Sequence, residues 1–276
     1  MMDKLLDLPA LDSRYTLEAD LKGQYQKNGN VLVRNILSKE EVEAYRPVIL
    51  NTADRYNTEK RKMEDRDTYG KAFLQIMNLW KVDEGVKQFT LAKRFAGIAA
   101  DLMGVENVRL YHDQALFKEA GGGPTPWHQD QYYWPISTNN TITMWMPLVD
   151  INIEMGMLSF ANGSQDLGYL GDLAISDTSE EVLSELVKER GYAISQPETM
   201  NAGDATWHSG WTLHAAPGNF SKQRREVMTI IFVDADAEII EPKNQHQKAD
   251  HAAWLMNYPI GGKIGSELNP LLLEPL

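Results

Sequence analysis

The sequence predicts a mostly β protein with helices, a jelly-roll or sandwich core of antiparallel strands preceded by a helical N-terminal part. Three observations carry this. From Val108 onward the apolar residues alternate with a period of two, in the segments Val108–Lys118, Thr141–Leu148, Met157–Ala161, Asp204–Leu213 and Arg225–Asp234, which is how half-buried strands read. Before that point apolar residues recur largely at helical spacing. The strands are short and joined by long, turn-rich connections, as in jelly rolls.

The elements follow in order. Gly29–Arg34 alternates like a short strand. Ser38-Lys-Glu-Glu41 is a capping box, its hydroxyl and carboxylate placed to satisfy free amides of a first helical turn, and the helix it opens is expected to reach about Arg55. A second helix is expected over Val86–Met103, with Leu91, Phe95, Ile98 and Leu102 on one face and Gly104 as its stop. One helix interrupts the strands, about Ser179–Glu189, opened by a capping box at Thr178-Ser-Glu-Glu181 and closed near Gly191. No repeat and no Pro/Gly/Ser linker divides the chain. The expectation is one domain over 1–276, with 1–105 mainly helical, 106–240 the core, an insertion at about 166–195, and an extension from 241 whose structure the pattern does not assign.

Composition narrows the function. With 43% hydrophobic residues among 276, the chain can build a core without a disulfide or structural metal. A net charge of −12 makes nucleic acid an unexpected partner. There is no cysteine, which excludes thiol catalysis and thiolate ligands, so any metal must be held by His, Asp or Glu. No apolar run approaches the roughly 20 residues that span a bilayer, and the first residues, Met-Met-Asp-Lys, carry charge too early for a signal peptide. A cytoplasmic protein without a membrane partner is expected; monomer and homodimer fit equally well.

The segment with most chemistry is Gly121-Gly-Gly-Pro-Thr-Pro-Trp-His-Gln-Asp-Gln-Tyr-Tyr-Trp134. On an extended strand His128 and Asp130 point to one face, where an imidazole and a carboxylate can supply two adjacent metal ligands. A third from another strand completes a set that leaves one face of an octahedral ion open, as non-haem iron requires. A lone His-X-Asp is more often a surface hydrogen bond, but the crowd of glycine, proline and aromatic residues favours a site. The triple glycine lacks the lysine and following helix of a phosphate loop and is read as turn geometry. The second segment, Gly203–Arg225, offers His208 and His214 at the same strand parity, which does not choose between them; His214 lies where the strand gives way to Pro217-Gly218-Asn219 and is preferred. Arg224 and Arg225 open the next strand. A guanidinium buried there needs an anion, and one carboxylate of a dicarboxylate would serve; solvated turn arginines are the equal alternative. His112, His246 and His251 have no partner at useful spacing and are expected to be structural or on the surface. Glu180, Glu181, Glu185 and Glu189 read as a solvated helix face.

These segments, with Tyr25–Ser38, Gly163-Ser164 and Gly203-Asp204, resemble the phytanoyl-CoA dioxygenase family of Fe(II)- and 2-oxoglutarate-dependent oxygenases over most of the chain. The resemblance implies a double-stranded β-helix, a cupin-like jelly roll with flanking helices. It implies His128, Asp130 and His214 as iron ligands and Arg225, eleven residues beyond His214, as the partner of the distal carboxylate of 2-oxoglutarate. Trp145 and Gln114 fall near cosubstrate contacts, and Gln75 and Asn78 follow on the same grounds. The implied cofactors are Fe(II), 2-oxoglutarate and O2, with ascorbate as a stimulant. The implied reaction couples oxidative decarboxylation of 2-oxoglutarate to attack on a substrate C–H bond, ending in hydroxylation, desaturation, cyclisation, epimerisation or demethylation. Asp130 argues against halogenation, which needs a small residue there.

Trp80, Tyr132, Tyr133, Trp134 and Trp211 offer aromatic walls for a compact small-molecule substrate of specialised, natural-product metabolism. The alternatives are an acyl-CoA hydroxylase of the same family, a cupin-like metal isomerase or zinc hydrolase, and a jelly-roll binding module without turnover. Glu59–Asp67, with charges of both signs, is expected to be a solvated lid rather than a phosphate-binding patch.

Overall fold

In the computed structural model, which describes residues 8–273, the chain forms α1 (Leu21–Asn28), β1 (Asn30–Val33), α2 (Lys39–Tyr56), α3 (Thr68–Ala72), β2 (Leu74–Met77), α4 (Glu84–Thr90) and α5 (Lys93–Met103). The strand-rich part follows: β3 (Val108–Lys118), β4 (Thr125–His128), β5 (Thr141–Pro147), β6 (Ile151–Asn152), β7 (Ser159–Ala161), α6 (Asp177–Arg190), β8 (Ile194–Ser195), β9 (Thr199–Met200), β10 (Ala205–Ser209), β11 (His214–Ala216), β12 (Arg225–Asp234) and α7 (Gln245–Ala253).

The ten-residue β12 is the spine, because β3 and β5 pair with its two edges and extend a sheet of order β1-β10-β5-β12-β3-β2. A four-stranded sheet, β4-β11-β7-β8, faces it, and all named strand pairs are antiparallel. This is the double-stranded β-helix that was expected. The outer face of the large sheet buries Met144, Met146, Ile230 and Phe232 against Phe95, Ile98 and Leu102 of α5 and the apolar side of α2. The inner face and the small sheet enclose the cavity described below.

Several elements differ from the sequence reading. The expected helix over Val86–Met103 is two helices broken at Leu91-Ala92. The break places the hydroxyl of Thr90 2.8 Å from the carboxylate of Asp113, a buried contact outside the local pattern. The expected strand Asp204–Leu213 ends at Ser209, turns a corner at Gly210, and resumes as β11 in the opposite sheet. A Cβ on Gly210 would lie 2.4 Å from Thr141 Oγ1 and 2.8 Å from Trp134, so only glycine allows the corner to sit this close. The Ser38–Glu41 capping box forms as read, whereas α6 is boxed by Ser176 and Ser179 instead of Thr178 and Glu181. Within 1–105, β1 and β2 belong to the large sheet, and β2 was read as part of the helical region. The extension from 241 forms α7 and then runs beside β3, where Leu272 N donates to Val108 O at 3.0 Å.

Candidate active site: a histidine–carboxylate centre between the sheets

Strand register assembles the centre. On the small sheet, His214 of β11 is the direct cross-strand partner of His128 of β4, so the two imidazoles stand side by side, with ring centroids 4.1 Å apart. On the large sheet, His208 of β10 is the partner of Thr143 of β5. Asp130 reaches both pairs. It does so from the first position of a 3-10 turn, Asp130–Tyr133, since β4 ends at His128. The same-face argument for an extended His-X-Asp therefore gives the right neighbours through a turn instead of a strand.

The two carboxylate oxygens have different partners. Oδ1 lies 3.4 Å from His128 Nε2 and 3.5 Å from His214 Nε2. Oδ2 accepts from Thr143 Oγ1 at 2.9 Å and lies 3.2 Å from His208 Nε2. Backbone carbonyls sort the histidines. His128 Nδ1 lies 2.7 Å from Pro126 O and His214 Nδ1 2.9 Å from Thr212 O, which places the proton on Nδ1 and turns the Nε2 lone pair towards Asp130 Oδ1. His208 Nδ1 has no partner, so this ring donates from Nε2 to Oδ2 and fixes the carboxylate. His208 and His214 therefore do different work, and they sit on different sheets; strand parity had no bearing on the choice.

Electrostatics agree with a donor set ready for a cation. Burial alone would raise the carboxyl of Asp130, but the surrounding histidines, His214 first, outweigh it and hold it well below the usual carboxylate range. Burial, with His128 adjoining, holds His214 well below the usual imidazole range. An ionised carboxylate beside neutral imidazoles is the state that binds metal. Donor atoms of His128, Asp130 and His214 all lie within 4.8 Å of one another. Two nitrogens and one carboxylate oxygen form the ligand set of non-haem iron, so the residues fit the metal.

These groups open into a cavity of about 340 Å³. At one end lies Arg225, 2% exposed and stacked on Trp145 with its guanidinium carbon 5.0 Å from the ring centre. Arg225 Nη1 donates to the carbonyl of Gly156, while its Nε has no partner. Burial lowers the guanidinium to about 9, so it stays charged at neutral pH. Arg224 faces the other way and pairs with Asp54 and Glu226, whereas Arg225 has no ion-pair partner among the described residues. Behind it, burial and then Arg225 itself push Lys118 down to about 6; its Nζ donates to Gly123 O at 2.5 Å. An unpaired buried guanidinium calls for an anion from outside the chain, and a dicarboxylate supplies one.

The remaining residues named from sequence divide cleanly. Trp145, Gln114, Gln75, Tyr133 and Trp134 line the cavity. Gln114, Thr229 and Trp145 form one row across β3, β12 and β5, and Gln75 Nε2 donates to Gln114 Oε1 at 2.5 Å. Four others lie outside it. Asn78 adopts a left-handed backbone and turns its side chain to Trp80 Nε1 at 3.2 Å. Trp80 is packed in the core beneath the helices. Tyr132 packs edge-on against Tyr133 outside the cavity and donates to Asp172. Trp211 donates from Nε1 to Asn139 at 3.0 Å.

Sequence reasoning missed one whole wall. His246, Ala249, Asp250, Ala253 and Trp254 of the C-terminal segment line the cavity together with His112 of β3. The available signal was their spacing at i, i+3, i+4, i+7 and i+8, which is one face of a helix. His112 and His246 are thus cavity residues, and His251 is structural, lying 2.8 Å from Tyr258 O.

Comparison with known proteins agrees with this geometry. The phytanoyl-CoA dioxygenase family profile matches residues 25–227. A Stutzerimonas stutzeri protein named "Probable alpha-ketoglutarate-dependent hypophosphite dioxygenase" is 23% identical over 233 residues, covering 79% of each chain. Among solved structures, the non-haem α-ketoglutarate-dependent carbocyclase SnoK from nogalamycin biosynthesis superposes with a TM-score of 0.76 at 24% identity, over 95% of this chain and all of that one. The epimerase SnoN, solved with Fe3+, α-ketoglutarate and nogalamycin RO, superposes at 0.73 with 23% identity over 92% and 97%. The match over residues 25–227, on a fold with a two-histidine, one-carboxylate centre, shows that the chain belongs to the phytanoyl-CoA dioxygenase family and is a non-haem iron, 2-oxoglutarate-dependent dioxygenase.

Proposed function

We propose that the enzyme oxidises an unactivated C–H bond of a small, specialised metabolite, with His128, Asp130 and His214 holding Fe(II) and Arg225 holding the distal carboxylate of 2-oxoglutarate. The observation that carries this reading is the buried, unpaired Arg225 in the same cavity as the three donors. When bound there, iron and 2-oxoglutarate supply an oxidant derived from O2 that removes hydrogen from carbon, with succinate and CO2 as the cosubstrate's products.

The chain's own residues prepare the site for this. His208 and Thr143 hold Asp130 Oδ2 and leave Oδ1 for the metal. Trp145 fixes the plane of the guanidinium and shields its far face from water. Tyr69, Gln75 and Gln114 form a hydrogen-bonded chain along one wall. Asp130 fills the coordination position that a halogenating enzyme would leave for halide.

Two observations favour a compact metabolite over an acyl-CoA. The cavity is small, and most basic residues of the loop Glu59–Asp67 have acidic partners. In this loop, Arg61 pairs with Glu59, Lys62 with Glu64 and Arg66 with Glu119, which leaves Lys60 as its one basic side chain without an ion-pair partner among the described residues, short of the positive patch that CoA phosphates need. The C–H bond attacked and the choice among hydroxylation, desaturation and cyclisation belong to the substrate's placement.

Anaerobic addition of Fe(II) and 2-oxoglutarate should produce a visible charge-transfer band, and a metabolite screen should find a compound that stimulates succinate formation. Absence of the band with both components at millimolar concentration would remove the cosubstrate assignment. The backbone at Gly156 gives a second check. Gly156 has φ +82°, and a Cβ there would lie 2.7 Å from Pro217 O while its own carbonyl receives Arg225. Gly156→Ala should cost about 1–3 kcal/mol in thermal or denaturant unfolding. It should also weaken 2-oxoglutarate binding in the same samples, because the arginine loses its anchor; a variant weakened in stability alone would separate Gly156 from the cosubstrate site.

A further inference from the structure

The α7 wall has no part in holding iron or 2-oxoglutarate, yet it carries the one remaining ionisable carboxyl in the cavity. Asp250 is 8% exposed. One of its oxygens accepts from Tyr111 OH; the other has no hydrogen-bond partner among the described residues. Burial without a counter-charge raises its carboxyl to about 8. Two alanines on the same face, Ala249 and Ala253, leave open space in front of it. The surroundings are aromatic. Tyr111 packs on Trp134 at 5.3 Å, and His112 packs on Trp254 at 5.8 Å between ring centres. His112 Nδ1 is buried without a partner, and burial holds the ring neutral, at about 4, so it has no positive charge with which to neutralise Asp250.

We propose that this wall recognises a cationic nitrogen on the substrate, a protonated or methylated amine, with Asp250 as its counter-ion and Trp134 and Trp254 as the aromatic faces around it. A cation answers both features at once, since a carboxylate compensates its charge and indole faces attract it when water is excluded. Among the residues lining the cavity, Asp130 is the only other carboxylate. With the centre loaded, the metal and Arg225 offset Asp130 and the two carboxylates of 2-oxoglutarate, and Asp250, largely protonated while the wall is empty, gives up its proton to pair with an arriving cation.

A fastening role for Asp250 does not account for this arrangement. α7 is already held by Gln247, whose Nε2 donates to Tyr132 O at 3.0 Å, and by the Asn244 cap. A neutral side chain would receive Tyr111 equally well without the cost of burying a carboxyl. α7 also lies beyond residue 227, where the family profile ends. That places it among the parts free to set substrate choice while the metal centre stays common.

The proposal rests on the metal and cosubstrate reading only through the neutrality of the loaded centre, and the experiment separates the two. Binding is measured anaerobically on the Fe(II)–2-oxoglutarate enzyme, by tryptophan fluorescence or calorimetry, with matched pairs differing only in charge. These are choline against 3,3-dimethylbutan-1-ol, and benzyltrimethylammonium against neopentylbenzene. The ammonium member of each pair should bind at least tenfold more tightly. Asp250→Asn, which keeps an acceptor for Tyr111, should erase that preference and leave the charge-transfer band and melting temperature in place. Tyr111→Phe, which frees the carboxylate without removing it, should retain the preference. Equal affinity within both pairs in the wild type overturns the proposal without recourse to any variant, as does a preference that survives Asp250→Asn. Loss of the band in the wild type strikes the cosubstrate reading instead.

Discussion

Asp130→Ala should abolish turnover and lower Fe(II) affinity by more than about 100-fold, since losing a group that merely orients a ligand already costs about 10- to 100-fold. The reason is local. Asp130 is the sole carboxylate in the donor cluster, and its two oxygens join both sheets, Oδ1 facing His128 and His214 and Oδ2 facing His208 and Thr143. Alanine removes a ligand and also the negative charge that favours a dication over water at this centre. The metal-free protein should lose stability as well, because buried Thr143 and His208 lose the acceptor that joins the two sheets. Metal titration followed by succinate assay gives the test; a variant that still binds Fe(II) tightly and still forms succinate would place the metal elsewhere. Asp130→Asn should resemble the alanine variant in metal affinity, because a neutral amide keeps the shape and loses the charge.

The same centre shows how far sequence reaches. β12 was bounded correctly at both ends, because the apolar and β-branched run Val227–Val233 is flanked by Arg224-Arg225-Glu226 and Asp234. The candidate donors stood out through the short spacing of His128 and Asp130, and the family resemblance, with Arg225 eleven residues beyond His214, pointed to the third. The path of the chain between His208 and His214 was not. Trp207, Trp211 and Leu213 keep one parity across Ser209-Gly210, and the close packing that reserves Gly210 for the corner comes from Thr141 and Trp134, which lie about 70 residues away in the chain. Likewise nothing near Thr90 signals the contact that its hydroxyl makes with the carboxylate of Asp113 on another element, beside the break.

The cavity wall from α7 was hidden for a related reason. Its meaning comes from Tyr111, 139 residues from Asp250, and from His112, which looks like an isolated histidine until β3 and α7 meet. Aromatic content misled in the opposite direction. Tyr132 follows Asp130 by two residues, but the 3-10 turn Asp130–Tyr133 buries it against Asp172 outside the cavity while Tyr133 lines the cavity, a rotation that composition does not show.

Arg225→Met should separate stability from function. The free protein now carries a guanidinium with no ion-pair partner among the described residues, an unpartnered Nε, and a burial penalty large enough to lower the group to about 9. Replacing such a charge with an apolar chain of similar length is often neutral or stabilising. Here it also leaves the Gly156 carbonyl without its donor, which costs about 1–3 kcal/mol, so the metal-free variant should unfold within about 2 kcal/mol of the wild type. Cosubstrate binding should suffer far more. Two charge-assisted hydrogen bonds to a carboxylate contribute about 3–6 kcal/mol together, which at 1.4 kcal/mol per factor of ten raises the 2-oxoglutarate requirement by about 100-fold or more. The stabilisation that 2-oxoglutarate gives by binding only the folded state should vanish with it. Thermal unfolding with and without 2-oxoglutarate therefore reads both effects in one experiment. A variant that is strongly destabilised when empty would make Arg225 a structural residue, and one still stabilised by 2-oxoglutarate would move the carboxylate site away from this arginine.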